Sequence, residues 1–143
     1  SRVVINEMLE QGAGQLYNME GCGSEGRLAE GLAVYGSTKR ALNYFTNSLQ
    51  LETKKTPVQV CLLSPGIVIT DLLIRDYDGM PEQFEKAKRF LNILGDKVET
   101  VTPYLAEKIL ANKDGKKVAW LTTPKVFIRF MTATFNKRDL FTN

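Results

Sequence analysis

Val58-Gln59-Val60-Cys61-Leu62-Leu63, closed by Ser64-Pro65-Gly66, is the stretch on which the fold turns. It is apolar almost without interruption, so it reads as a strand covered on both faces, as in parallel sheets. Toward the amino terminus, Thr56-Pro57 ends a long helical pattern from about Leu32 to Lys55, in which Leu42, Phe45 and Leu49 recur at helical spacing. Before that helix come the loop Gly21-Cys22-Gly23-Ser24-Glu25-Gly26, a short strand over Gln15 to Met19, and a helix over Val3 to Gln11 that stops at Gly12. Toward the carboxyl terminus, residues 70–81 read as irregular, with a turn at Asp78-Gly79. Helices follow over Met80 to Leu94, with Pro81 in the first turn and Gly95 at the end, and over Pro103 to Asn112. A turn at Asp114-Gly115 leads to a third strand, Lys117 to Leu121. Strands and helices alternate throughout, which predicts an α/β domain with a parallel sheet.

The last segment, Pro124 to Phe141, joins Phe127, Phe130, Met131 and Phe135 to Lys125, Arg129, Lys137 and Arg138. A basic amphipathic helix of this kind covers a sheet, fills a subunit interface, or lies on a membrane or partner; the first two are the expectation here.

Composition narrows the chemistry. The chain has 143 residues, 19 Lys and Arg against 16 Asp and Glu, and no histidine. That length suits one domain with a real core. The net charge of +3 comes without a dense basic stripe, so no nucleic-acid partner is implied. The lack of histidine removes Ser-His-Asp and Cys-His nucleophile systems and histidine-ligated metals together. Cys22 and Cys61 lack metal-ligand spacing, so no metal is expected, and a thiol-bearing cytoplasmic or plastid-type compartment is favoured over a secreted one. No apolar run approaches the length of a membrane span.

Within the long helix, Val34-Tyr35-Gly36-Ser37-Thr38-Lys39 sets a phenol and an ammonium four residues apart, on one helical face. A neighbouring cation favours the ionised form of a phenol, which suits it to acid–base work. The loop Gly21 to Gly26 matches G-x-G-x-x-G, which cradles pyrophosphates when a helix begins at its last glycine. Here Arg27 to Gly31 intervene, and no strand ends in an acidic residue about 20 positions on, so a plain loop at a strand's carboxyl end is expected.

The order of strand, loop, Y-x-x-x-K helix, apolar strand and P-G-x-x-x-T resembles the carboxyl-terminal half of the short-chain dehydrogenase/reductase family. Tyr35-Gly36-Ser37-Thr38-Lys39 and Ser64-Pro65-Gly66-Ile67-Val68-Ile69-Thr70 carry the resemblance, which runs from about Ser1 to Leu121. It implies half of a Rossmann-like doubly wound parallel sheet, about three strands flanked by helices, as one partial domain over residues 1–143. It further implies that Tyr35 is the proton donor or acceptor at a substrate carbonyl or alcohol. Lys39 would tune that phenol and hydrogen-bond the nicotinamide ribose. Pro65, Gly66 and the Val68 backbone would face the carboxamide, with a hydroxyl contact from Thr70. The cofactor implied is NADP, or NAD, and the substrate a small apolar carbonyl compound.

The segment from Asn18 to Arg27, with Tyr35 to Arg40, Thr70-Asp71-Leu72-Leu73 and Phe127-Ile128-Arg129-Phe130, is similar to the chlorophyll b reductase branch of that family. That branch reduces a formyl group on a chlorin ring. A homo-oligomer through the helices at 3–11 and 32–55 is also implied. Two departures stand out. The family's substrate-holding serine precedes the tyrosine by about 13 residues, a slot near Gly21 or Cys22, so Ser24 is the candidate for that role. The family's amino-terminal nucleotide-binding half is not in the sequence, so the chain is expected to be inactive alone. A non-catalytic half-domain that assembles through its helices is the alternative.

Overall fold

A computed structural model describes residues 1–142, which form two compact units. The first comprises Ser1–Ser64 with Ala111–Val118, and the second Pro65–Leu110 with Ala119 onward.

In the first unit, α1 (Arg2–Gln11) leads into β1 (Gly14–Met19), then α2 (Ala33–Thr53) and β2 (Val58–Ser64). β1 and β2 pair in parallel, with Gly14 opposite Val58 and Met19 opposite Leu63. β2 is the central strand of a sheet ordered β1-β2-β5, where β5 is Val118–Ala119. Successive β2 residues Val60, Cys61, Leu62 and Leu63 are all buried, as the apolar run predicts. Ile5 of α1 packs with Val58 and Val60, and Met8, Leu16 and Leu49 close around them. Thr46, fully buried on α2, donates to the Leu42 carbonyl and accepts from the Asn18 amide of β1, so no polar group is stranded where helix meets strand.

Residues 111–118 rejoin this unit late in the chain. The Asn112 side chain donates to the Tyr17 hydroxyl and to the Lys116 carbonyl, and Gln59 donates to the Lys113 carbonyl. Lys117 forms ion pairs with Glu20 at 2.5 Å and Glu25 at 2.6 Å. Burial works against the Lys117 charge, but the two carboxylates outweigh it and raise its pKa.

The second unit holds β3 (Ile67–Ile69), α3 (Asp71–Arg75), α4 (Pro81–Leu94), β4 (Gly95–Lys97), α5 (Val98–Ala111) and α6 (Thr123–Thr132). β3 and β4 pair in parallel, Val68 opposite Asp96. Leu91, Leu94, Val101 and Leu105 are its buried apolar residues. Asp96 is buried and binds three donors: Arg129 at 2.8 Å, Arg138 at 2.6 Å and the Trp120 indole at 2.6 Å. Burial pushes the Asp96 carboxyl up, but these donors prevail and hold it below the usual carboxylate range.

Four boundaries differ from the sequence reading. The stretch at 70–81 contains the short α3, which Thr70 caps by accepting from the Leu73 amide. α5 begins at Val98, five residues ahead of Pro103, so the proline sits in the helix and leaves one backbone bond unmade. Burial of Val101 holds that extra turn in place. The third strand is only Val118–Ala119. The last helix ends at Thr132, because Arg138 is drawn to Asp96 and the Gly95 carbonyl while the Leu140 amide bonds Asn92. Among the described residues, no helix is long and apolar enough to cross a membrane.

Candidate active site

Tyr35 and Lys39 occupy the first turns of α2, with the Lys39 ammonium 5.7 Å from the centre of the Tyr35 ring. That ammonium also donates to the Met19 carbonyl at 3.1 Å, which ties the helix to the last residue of β1. The phenol end of Tyr35 lies against Gly21. A Cβ at Gly21 would collide with the Tyr35 hydroxyl and stand 3.0 Å from Lys39 Cε. The absence of a side chain at this one position thus lets both groups reach the carboxyl end of β1.

The loop behind them is held by hydrogen bonds. The Gly21 amide donates to Ser24 Oγ at 2.9 Å, and the Ser24 amide returns to the Gly21 carbonyl at 3.1 Å. Ser24 is only 3% exposed, and its hydroxyl proton has no acceptor among the described residues. Arg40 donates to the Ser24 carbonyl and Asn43 to the Glu20 carboxylate, so α2 grips the loop over the turn that follows Lys39. Gly23 has a φ of +92°, and a Cβ there would stand 2.7 Å from the Gly36 Cα. Gly21 and Gly23 therefore serve the approach of loop to helix.

The structure brings Tyr35, Lys39 and Ser24 together around Gly21. Pro65, Gly66, Val68 and Thr70 belong to the second unit. There Val68 lies in β3, and Thr70 Oγ1 accepts from the Leu73 amide, which leaves its hydroxyl proton to donate elsewhere. Sequence reasoning missed Arg40, Asn43 and Lys117 as supports of the loop. Helical spacing from Gly36 and Lys39 points to the first two; nothing local points to Lys117.

The family model for short chain dehydrogenase matches residues 1–80. The chain belongs to the short-chain dehydrogenase family. It is 35% identical over 135 residues to a probable chloroplastic chlorophyll(ide) b reductase of Oryza sativa subsp. japonica, an alignment covering 93% of this chain and 26% of that protein. It is 40% identical over 114 residues to a chloroplastic chlorophyll(ide) b reductase of Arabidopsis thaliana, covering 77% of this chain and 31% of that protein. The chain thus spans about a quarter to a third of the length of these relatives. Among solved structures it is similar to a serine dehydrogenase complexed with NADP+, at a TM-score of 0.63 and 23% identity, over 86% of this chain and 50% of that one. It is likewise similar to a 7α-hydroxysteroid dehydrogenase, at a TM-score of 0.64 and 20% identity, over 85% and 48%. These likenesses show the Rossmann-like fold within the short-chain dehydrogenase family.

The donor set here fits a nicotinamide ribose. Lys39 has three N–H donors and spends one on Met19, and the Tyr35 hydroxyl has no partner among the described residues.

Proposed function

We propose that this chain carries the acid–base residues of an NAD(P)-dependent oxidoreductase that reduces a carbonyl, or oxidises the corresponding alcohol, on an apolar substrate. The observation that carries the reading is the Tyr35 phenol and the Lys39 ammonium converging on Gly21, next to the buried hydroxyl of Ser24. A nicotinamide cofactor, when held beside these residues, would supply the hydride for the carbonyl carbon. Tyr35 gives its phenolic proton to the carbonyl oxygen, so the C=O bond becomes an alcohol and the phenolate is left on the enzyme. The Lys39 ammonium offsets that negative charge and would hold the ribose. Ser24 donates its free proton to the same substrate oxygen. By the family resemblance, Pro65, Gly66 and the Val68 backbone, with the Thr70 hydroxyl, would hold the carboxamide.

We infer a formyl-bearing chlorin-type pigment as the substrate and NADP as the cofactor, in a plastid. Support comes from the two plant relatives, whose names carry both that activity and that location. The proposed catalytic chain is one partial Rossmann-like domain, and it assembles as a homo-oligomer through α1 and α2. The exposed Val3, Val4 and Leu9 of the first helix and Val34, Tyr44 and Leu51 of the second supply the apolar area for that contact.

The test is Tyr35→Phe in the intact polypeptide that bears this sequence. Turnover falls by about a thousand-fold or more, while NADPH binding, followed by nucleotide fluorescence, is retained. Undiminished turnover in this variant refutes the assignment.

A further inference from the structure

The second unit contains a cavity of about 1170 Å³ that the reductase reading does not use. Its walls carry Lys86, Arg89, Lys125 and Lys137, none of which has an ion-pair partner among the described residues. Arg129 and Arg138 also line it, but both are committed to Asp96, the one carboxylate on its surface among the described residues. Positive charge therefore exceeds negative by a wide margin, which raises the local concentration of anions at the cavity.

Lys125 is the cation in greatest need of a counter-charge. It is half-buried, with its ammonium 3.0 Å from the centre of the Trp120 ring. Burial and the nearby Arg129 and Arg138 disfavour its charged form, and Asp96 only partly opposes them. The ring face gives it some electrostatic support, but no acceptor. Beside it, Phe90, Ile93 and Phe130 offer apolar wall. The volume is somewhat above the range of ordinary small-molecule sites, so there is room for an occupant with a sizeable body.

We propose that this cavity binds an amphipathic organic anion, a single carboxylate or phosphate group on an apolar body. The anionic group sits between Lys125 and the other free cations, and the apolar body lies along Phe90, Ile93 and Phe130. Inorganic phosphate would satisfy only the charge, and a neutral alkyl chain only the walls. This inference does not depend on the reductase reading.

Trp120 is the only tryptophan in the chain, so its fluorescence reports directly on the cavity. The test titrates the intact polypeptide that bears this sequence, reading the part of its emission that Trp120→Phe removes, with dodecanoate, dodecyl phosphate, dodecanol and inorganic phosphate, all below micellar concentrations, and separately with vesicles rich in anionic lipid. Dodecanoate or dodecyl phosphate changes Trp120 emission saturably, at one molecule per chain, and binds at least ten-fold more tightly than dodecanol or inorganic phosphate. Lys125→Met weakens the anion about ten-fold without lowering the melting temperature, since it removes a poorly placed charge. Lys125→Arg restores binding, and Lys137→Met weakens it independently. Equal binding of dodecanol and the anions, anion affinity unchanged in both methionine variants, or a response confined to vesicles would each overturn the proposal.

Discussion

The Cα of Gly36 stands only 2.7 Å from where a side chain on Gly23 would begin. Loop and helix touch through bare backbone, and Gly23 also holds a φ of +92° that a residue with a Cβ rarely adopts. Gly23→Ala therefore meets both strain and collision. It destabilises the protein by about 2–3 kcal/mol, read as a lower midpoint in urea.

Gly21→Ala separates the site from the scaffold. Its backbone is not left-handed, and the obstacle is the movable end of Tyr35 together with the Lys39 chain. Stability changes by less than about 1 kcal/mol. A phenol displaced by roughly an ångström costs about a hundred-fold in kcat. A variant that melted like Gly23→Ala but turned over normally would contradict this account.

Ser24→Ala removes the oxygen that accepts from the Gly21 amide and the proton offered to substrate. The first loss costs about 1 kcal/mol of stability. The second lowers kcat by about a hundred-fold with cofactor affinity unchanged, as for the loss of one donor to a developing oxyanion.

The Asp96 cluster gives the second unit an acid limit. The carboxyl is held below its unfolded value of about 3.9, so its contribution is complete above that pH and is lost as pH falls through the lower folded value. Asp96→Asn leaves Arg129 and Arg138 facing each other without their anion. It costs about 3 kcal/mol at neutral pH and much less in acid. The gap between the melting temperatures of the two proteins should hold from pH 7 to about pH 4 and narrow progressively below about 3.9.

The two thiols differ in access. Cys22 is exposed, whereas Cys61 is buried in β2, where burial pushes its thiol up. A thiol-specific reagent at neutral pH titrates one cysteine quickly and the second only on unfolding. Cys22→Ser abolishes the fast phase.

The sequence was legible where local pattern and tertiary demand agree. β2 announces itself because all its neighbours bury it, and Tyr35 and Lys39 share a face because both belong to one helix. Asp96 was not legible, since its partners at 120, 129 and 138 make sense of a buried carboxylate only once folded. Gly95 illustrates the same limit: it ends α4 as expected, yet it also opens a strand that pairs with Ile67. In the site, the contact of Tyr35 with Gly21 joins residues that spacing cannot relate, and Lys117 reaches Glu20 across most of the chain.

Asn112, Lys113 and Lys117 complete a unit that otherwise ends at Ser64. On the ribosome, then, β1, α2 and β2 emerge long before the residues that finish their packing. The nascent first unit must wait for residue 118 with Glu20 unneutralised and Tyr17 lacking its Asn112 donor. Cutting the gene after Ser64 would make that waiting state permanent.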